Sequence, residues 1–317
     1  MTINNRRSFI IGIKSTILSS REKNFITKYK PWGVILFARN IKTLKQTYKL
    51  TQQIKKIFRD RNYPILIDQE GGRVNRLKNF FNADSLTGEF FGKLFEKDKK
   101  KFLEYYKIFI YHTSFLLNSI GVNINTLPVL DIRSVGSSYI IGDRSFSSNP
   151  KIVSKIGDIC IKLFQSKKIG TVIKHIPGHG LAKVDSHKLT PIIKKKLKYL
   201  KLNDFSAFRK KSSLFAMTAH IIYSSIDKKN TATHSKKVIK VIRENIKFKN
   251  LIMSDDISMK SLKGSIKDNT IKAFEAGCNL VLHCNGNYKE MNDVATHSPL
   301  INKFIIKKTS EFYSIIS

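Results

Sequence analysis

The sequence predicts an α/β protein, and within that class a single-domain (β/α)8 barrel of the TIM type that spans residues 1–317. Two observations lead to this prediction: short apolar, β-branched runs recur along the chain, and segments with a helical period follow most of them. Eight runs can be counted, which is the number of strands that closes a parallel barrel. They cover residues 9–13, 33–37, 64–67, 122–128, 171–174, 214–219, 251–253 and 279–282.

Segments with a helical period lie between these runs, at residues 41–59, 99–120, 151–168 and 235–246. The last of them follows a polar stretch in which Thr233 or Ser235 could serve as the N-cap. The 7 prolines and 16 glycines form no hinge-like stretch, and neither repeats nor low-complexity linkers occur. We therefore expect one domain.

The composition predicts a soluble, cytoplasmic protein without a membrane partner. Hydrophobic residues make up 41% and charged residues 26%, and no apolar run is long enough to cross a bilayer. The apolar stretch at residues 9–13 ends at Lys14, too early for a signal peptide. The three cysteines are odd in number and lack CxxC spacing, which favours a reducing compartment.

The net charge of +35 raises nucleic-acid binding as a hypothesis. The lysines are spread along the chain, with short clusters at residues 97–101, 194–201 and 307–308, and only Tyr199 lies inside a cluster. A platform on which bases stack needs more aromatic residues than this. We expect a solvated surface and no nucleic-acid partner, and a non-catalytic binder of nucleic acid or another anionic polymer is the alternative of a different class.

Polar residues follow several of the predicted strands, where the active sites of such barrels lie. The positions are Asp68, Lys174, His175, His220, Asp255 and Asp256. The carboxyl ends of the strands all lie at one end of a parallel barrel. These side chains could therefore surround one mouth.

The stretch from Lys174 to His187 is the richest in chemistry, with three histidines, two lysines and one aspartate. Its proline and glycines make a regular helix improbable, so it is predicted to be a loop that leaves a strand. Asp185 lies two residues before His187, and a carboxylate at that spacing can fix the tautomer of an imidazole. Such a histidine could act as general acid and base, although a surface turn explains the spacing equally well.

Asp255 and Asp256 lie just past the predicted strand at residues 251–253. Neighbouring side chains on extended backbone point in opposite directions, so one carboxylate can face a pocket while the other supports a loop. By itself the pair could equally be two metal ligands or an N-cap.

Residues 67–76 combine two glycines with the acceptor Asp68 and the donor Arg76. The glycines allow a tight turn and close approach of a ligand, and the polar pair suits a ligand rich in hydroxyl groups. A salt-bridged loop is the alternative for these two residues.

A metal-dependent hydrolase is the alternative of most similar chemistry. Imidazole and carboxylate groups are ligand types that zinc prefers, and the two stretches supply several. The candidate ligands are His175, His179, Asp185, His187, His220 and Asp255.

Six segments taken together resemble the bacterial family 3 β-N-acetylglucosaminidases, in order and spacing, from about Gly33 to about Asn285. The segments are GVILFARN at 33–40, IDQEGGRVNRL at 67–77, IGDRSF at 141–146, KHIPGHG…VDSHKLTP at 174–191, SDDISM at 254–259 and AGCNLVLHCN at 276–285. The resemblance implies a monomeric barrel enzyme that needs no metal or cofactor. Its implied substrate is terminal β-linked N-acetylglucosamine on cytoplasmic anhydro-muropeptides, cleaved during peptidoglycan recycling.

The resemblance also implies the site residues. Asp255 would be the nucleophile and His187 the general acid and base, oriented by Asp185. The implied sugar contacts are Asp68, Arg76, Arg144, Lys174 and His175, whereas His179 and His220 shape the pocket. A retaining mechanism needs a nucleophilic carboxylate and an acid/base, and here a histidine would replace the usual second carboxylate.

The chain departs from the family pattern in three respects. Asp143 stands where the family often has glutamate, the lysine content is high, and the similarity fades after Cys284. We expect little effect of the first on Arg144, and a shortened last helix from the third.

Overall fold

The computed structural model describes residues 3–134, 136, 139–186 and 188–317. The strands of this part of the chain are β1 (Arg7–Gly12), β2 (Pro31–Leu36), β3 (Ile65–Ile67), β4 (Ile124–Asn125), β5 (Gly170–Ile176), β6 (Ile192–Ile193), β7 (Phe215–Thr218), β8 (Ile222–Tyr223), β9 (Leu251–Asp256) and β10 (Leu280–His283). Strands β6 and β8 form a separate pair, and the other eight close a barrel in the order β1-β10-β9-β7-β5-β4-β3-β2. All pairings in the barrel are parallel.

The predicted (β/α)8 barrel is confirmed, because every predicted apolar run overlaps a barrel strand. These strands are buried along almost their whole length, as expected where helices cover the outside of a parallel sheet. Strand β4 is the shortest in the barrel, and Pro128, which has no N–H to donate to a sheet, follows it closely.

The helices surround the barrel in the described residues. They are α1 (Ser20–Tyr29), α2 (Leu44–Phe58), α3 (Gly88–Lys97), α4 (Lys99–Ser119), α5 (Pro150–Ser166), α6 (Leu197–Leu202), α7 (Lys236–Val241), α8 (Ile266–Ala276), α9 (Tyr288–His297) and α10 (Lys303–Ile316). None of them is long and apolar enough to span a membrane. The four predicted helical segments correspond to α2, α4, α5 and α7, and α7 continues as a π-helical turn through Ile246.

Ser235, one of the two candidates, caps α7 by accepting a hydrogen bond from the backbone N–H of Val238 at 3.2 Å. After Cys284, where the sequence similarity fades, the chain still forms α9 and the 14-residue α10.

Helix α10 closes the amino end of the barrel. The ring of Phe312 is fully buried against Phe215, with 5.5 Å between the ring centroids. Trp32 Nε1 donates a hydrogen bond to Thr309 Oγ1 at 2.9 Å, which fixes the helix to strand β2. A Cβ atom at Gly170 would lie only 2.7 Å from the Phe312 ring, so the helix fits closely. Since this end is filled, the carboxyl ends of the strands form the open mouth.

Candidate active site

The strand ends bring the predicted polar side chains to the mouth of the barrel. Asp255 is the penultimate residue of β9, Lys174 and His175 lie within β5, and Asp68 follows β3 directly. His220 lies two residues after β7, next to β9 in the barrel. Residues up to about 190 positions apart in the sequence, such as Asp68 and Asp255, therefore interact electrostatically.

The two adjacent aspartates have different surroundings. The Asp256 carboxylate accepts hydrogen bonds from the N–H and hydroxyl of Ser258 at 3.0 and 2.8 Å, and from the N–H of Cys284 at 3.2 Å. It therefore supports the loops beyond β9 and β10. Asp255 Oδ1 accepts the N–H of Asp256 at 2.7 Å.

Asp255 is a carboxylate at neutral pH. Burial alone would raise its pKa, but the neighbouring imidazoles of His220 and His175 oppose this effect and hold the pKa below its ordinary value. An ionised carboxylate in a partly dehydrated site is the state that a nucleophile needs. The geometry thus gives Asp256 a supporting role in the loops, and the assignment of Asp255 as the nucleophile stays a prediction.

Asp68 lies in a basic pocket beside this carboxylate. Lys174 Nζ is 3.1 Å from Asp68 Oδ1, and Arg76 Nη2 is 3.8 Å from Asp68 Oδ2. Thr126 donates its hydroxyl to the same carboxylate. Burial raises the pKa of Asp68, but Lys174 and Arg76 outweigh it and lower the pKa below its usual value. An ionised Asp68 with fixed orientation can accept hydrogen bonds from sugar hydroxyl groups.

Lys174 is almost completely buried, and three oxygen atoms surround its ammonium group. Besides Asp68, these are Thr126 Oγ1 at 2.8 Å and Glu70 Oε1 at 2.5 Å. Lysine has three donors, so all three have a partner. Sequence reasoning assigned no role to Glu70 or Thr126.

Arg144 forms a two-pronged ion pair with Glu70. Its Nε and Nη2 atoms each lie 2.8 Å from a carboxylate oxygen of Glu70, and Nη1 donates to the carbonyl of Ile140 at 3.1 Å. Although burial opposes ionisation, Arg144 and Lys174 hold the pKa of Glu70 far below its usual value. In this structure Arg144 positions Glu70, and through it Lys174, so its direct contact with a sugar stays a prediction.

Asp131 orients His175, and sequence reasoning missed it. The fully buried Asp131 carboxylate lies 2.6 Å from His175 Nδ1 and also accepts the backbone N–H of His179 at 2.6 Å. A carboxylate can only accept, so His175 Nδ1 carries the proton and Nε2 is left for a ligand. Asp131 follows an apolar run, which is the same signal that identified Asp68 and Asp255.

His220 is held between two elements at the mouth. Its Nε2 donates to the backbone carbonyl of Asp256 at 3.0 Å, and its Nδ1 accepts from the hydroxyl of Thr233 at 2.7 Å. Burial lowers the pKa of His220, although Asp255 opposes this. Both ring nitrogens of His220 are therefore bonded, and the ring is held in one orientation beside Asp255.

His179 connects the two ends of the loop that follows β5. Its Nε2 lies 3.1 Å from the hydroxyl of Ser186, and burial, aided by His175, lowers the pKa of His179 to about 4. The imidazole of His179 is therefore neutral near pH 7, and it packs within the loop and links the two ends of the loop.

The predicted acid/base residue His187 lies outside the described residues. Asp185 lies on the loop, where its carbonyl accepts the N–H groups of Lys188 and Leu189 at 3.0 and 2.9 Å. These two hydrogen bonds are what the structure shows of the backbone at Asp185. Their pairing stays a prediction.

No group of three or more His, Cys, Asp or Glu side chains in the described residues is arranged to hold a metal ion. One member of the proposed ligand set, His187, is outside these residues.

We expect Asp131→Asn to lower the free energy of unfolding by about 2 kcal/mol near neutral pH, because a buried charged hydrogen-bond acceptor is lost. His175 and His179 hold the pKa of Asp131 below its ordinary value against burial, so its ionised form stabilises the fold. This stabilisation is present above the unfolded-state pKa of about 3.9 and is lost as the pH falls through the lower folded-state pKa. Denaturant titrations of wild type and variant at several pH values test this. A difference that grows towards low pH would contradict it.

Comparisons with known proteins match most of the chain. The family model described as the glycosyl hydrolase family 3 N-terminal domain matches residues 12–308. A curated beta-hexosaminidase of Hydrogenovibrio crunogenus is 32% identical over 281 residues, which cover 87% of this chain and 78% of the relative. A beta-hexosaminidase of Neisseria meningitidis serogroup A is 32% identical over 275 residues, covering 84% and 75%.

A solved structure gives the same result. The crystal structure of NagZ from Neisseria gonorrhoeae in complex with N-trifluoroacetyl-D-glucosamine superposes with a TM-score of 0.88 at 27% identity. The match covers 98% of this chain and 91% of that one. The resemblance drawn from the sequence motifs is confirmed.

Proposed function

Because the chain belongs to glycosyl hydrolase family 3, we propose that it is a retaining exo-β-N-acetylglucosaminidase. It is a glycoside hydrolase of the β-hexosaminidase type, like its curated relatives. The proposed substrate is terminal, non-reducing, β-linked N-acetylglucosamine on anhydro-muropeptides of peptidoglycan recycling. We further propose that residues 1–317 act as one domain and as a monomer, in the cytoplasm, without metal or cofactor.

The observation that carries the proposal is the ionised Asp255 at the end of β9. His220 and His175 lower the pKa of Asp255, and Asp68 lies close enough for the two carboxylates to interact electrostatically. Beside Asp255, Asp68 supplies a hydrogen-bond acceptor and Lys174 supplies a positive charge, which suit a sugar ring rich in hydroxyl groups. A nucleophile beside a hydroxyl-binding pocket is the arrangement that a retaining glycosidase needs.

The proposed mechanism has two steps. In the first, a carboxylate oxygen of Asp255 attacks the anomeric carbon, the glycosidic bond breaks, and His187 transfers a proton to the leaving oxygen. In the second, His187 takes a proton from water, whose oxygen attacks the anomeric carbon and releases Asp255. Two inversions give net retention. The roles of His187 and Asp185 rest on the family resemblance.

An amino-sugar ligand supports the choice of substrate. The Neisseria gonorrhoeae protein was crystallised in complex with N-trifluoroacetyl-D-glucosamine, a 2-acylamino sugar. We infer that the pocket of Asp68, Arg76 and Lys174 takes the N-acetylglucosamine ring of the substrate. His175 Nε2 and Arg144 are the further proposed contacts.

Proton NMR of the products tests the proposed function. The enzyme is expected to release N-acetylglucosamine from a purified anhydro-muropeptide, with the β-anomer appearing before mutarotation and with full activity after exhaustive chelation. Initial release of the α-anomer would exclude retention. Activity lost on chelation and restored by zinc would support the metal-dependent alternative instead. Tight, salt-sensitive nucleic-acid binding without any hydrolysis would support the non-catalytic alternative.

A further inference from the structure

Helix α4 carries apolar side chains on both of its sides. Its inner side is buried in the core through residues such as Phe102, Tyr106 and Phe109. On its outer side, four residues follow one another at intervals of three, four and three positions, which places them on one face of the helix. This α4 stripe consists of Tyr105, Ile108, His112 and Phe115, all of them exposed. A helix that is apolar all round is normally covered on every side, so the stripe is a candidate contact surface.

The α4 stripe is part of a larger apolar surface. Tyr105, Ile108 and Phe115 are 51%, 65% and 66% exposed. A groove of about 480 Å³ lies beside the stripe between α3 and α4, where Phe90, which is itself exposed, forms part of the lining together with Tyr105 and Ile108. Single exposed apolar residues are common on protein surfaces, whereas a contiguous group of them marks a site of contact.

Positive charge accompanies this apolar surface. Helix α4 has four lysines and a single acidic residue, Glu104. The lysines are Lys99, Lys100, Lys101 and Lys107. In the described part of the chain, none of their ammonium groups forms an ion pair with a carboxylate. Lys167 adds a further charge, because its Nζ lies 3.7 Å from the centroid of the Tyr111 ring on the same helix.

The charge argues against a second copy of the chain as the partner. Each copy carries a net charge of +35, so two copies repel each other. Interfaces between proteins are also depleted in lysine and enriched in arginine, and they use directed hydrogen bonds. Helix α4 has lysines and no arginine, and the only polar groups of the stripe are the Tyr105 hydroxyl and the His112 imidazole.

An anionic lipid surface fits the same features. Apolar and aromatic side chains of a helix that lies on a bilayer enter the boundary of the acyl chains, and no directed hydrogen bond is needed. Lysine keeps its ammonium group at the level of the headgroups while its alkyl chain covers apolar surface. Each lysine near such a surface is attracted by the negative charge of the lipids.

We propose that the α4 stripe and the groove beside it bind the surface of an anionic phospholipid bilayer, with the axis of α4 parallel to the membrane plane. The proposal differs from the sequence-based expectation that the protein has no membrane partner. That expectation rested on the lack of an apolar run long enough to cross a bilayer, whereas a helix that lies on a bilayer needs only one apolar face. The proposal is independent of the reaction proposed above.

Sedimentation with lipid vesicles tests the proposal. The probes are vesicles of phosphatidylglycerol with phosphatidylethanolamine, and vesicles of phosphatidylcholine alone. Wild type is expected to bind the anionic vesicles with a partition coefficient at least about tenfold higher than that for phosphatidylcholine. Y105S/I108S/F115S should lower the partition coefficient for the anionic vesicles at least about tenfold, because three apolar side chains no longer enter the lipid. K100E/K107E should lower it by a similar factor.

Two control variants make the same changes elsewhere on the surface. Y48S/L202S/L300S removes three exposed apolar side chains outside α4, and K45E/K49E makes the same change in net charge on α2 as K100E/K107E makes on α4. Both are expected to keep the wild-type partition coefficient within about threefold, because charges far from the bilayer are screened.

A fluorescence measurement detects the contact without any loss of binding. The only native tryptophan, Trp32, is fully buried, so a tryptophan introduced by Ile108→Trp reports on the stripe. Its emission is expected to shift to shorter wavelength when the anionic vesicles are added, whereas Tyr48→Trp on α2 should show no shift.

Failure of wild type to bind the anionic vesicles would overturn the inference. An equal loss of binding in the α4 variants and their controls would also overturn it, because net charge alone would then explain binding. A wild-type dimer in solution that becomes monomeric in Y105S/I108S/F115S would show instead that a second copy covers the stripe. Hydrolysis of an aryl β-N-acetylglucosaminide without vesicles should be equal in wild type and Y105S/I108S/F115S, which verifies folding. Its absence in wild type would contradict the proposed function alone.

Discussion

Asp255→Ala is expected to lower kcat/KM for an aryl β-N-acetylglucosaminide on the order of 10⁴-fold, the size of effect that follows removal of a central catalytic group. Without the carboxylate no glycosyl-enzyme can form, and the remaining pocket groups bind the sugar without a nucleophile. Because His220 and His175 lower the pKa of Asp255, wild-type activity should persist on the acid side to below the ordinary carboxylate range. Steady-state kinetics measure both effects.

Asp256→Asn is the matched control, because it changes the adjacent carboxylate. Asp256 accepts hydrogen bonds from Ser258 and Cys284, so we expect this variant to lose stability and to keep kcat/KM within about tenfold. Trapping with a 2-fluoro or 5-fluoro glycoside and peptide mapping should place the label on Asp255. A label on another residue, or equal rates for wild type and Asp255→Ala, would refute the assignment.

His187→Ala is expected to slow substrates with poor leaving groups by about 10²- to 10⁴-fold, and substrates with good leaving groups much less. A poor leaving group needs a proton as the glycosidic bond breaks, whereas a nitrophenolate departs without one. The measurement is kcat/KM over a series of aryl glycosides of increasing leaving-group pKa. The slope of log kcat/KM against that pKa should be steeper for the variant than for wild type.

His112→Ala, which removes an exposed imidazole from α4, is the control and should show the wild-type slope. Asp185→Asn should change the slope in the same direction as His187→Ala, but less, because it weakens the acid without removing it. A uniform loss across the whole series in His187→Ala would mean that His187 only supports the loop.

The barrel could be predicted because its signal is local. Each barrel strand overlaps a short apolar run in the sequence. Each of the four predicted helices shows a helical period, as in α4 and α5, whose ends lie within two residues of the prediction. Asp68 and Asp255 could be singled out because each lies within two residues of the end of such a run. The resemblance to family motifs then favoured Asp255 over Asp256 as the nucleophile, and this choice stays a prediction, which the hydrogen bonds of Asp256 to Ser258 support.

Other features depend on contacts between distant segments. Asp131 is 44 residues from His175, and Glu70 is 74 residues from Arg144. No periodicity reports such a pair, because partners across neighbouring strands are set by sheet register and barrel closure. The closure of the amino end by Phe312 against Phe215 is of the same kind.

The sequence by itself determined the eight-stranded barrel, the family and the candidate carboxylates of this protein. Burial patterns and motifs could be recognised because each is a property of a short stretch of consecutive residues. Only the tertiary structure decided which groups surround the candidate site residues. Glu70 and Thr126 lie around Lys174, Asp131 bonds to His175, and His220 lies beside Asp255. The physical reason is that a side chain's pKa and hydrogen bonds depend on its neighbours in space, and closing the barrel selects those neighbours.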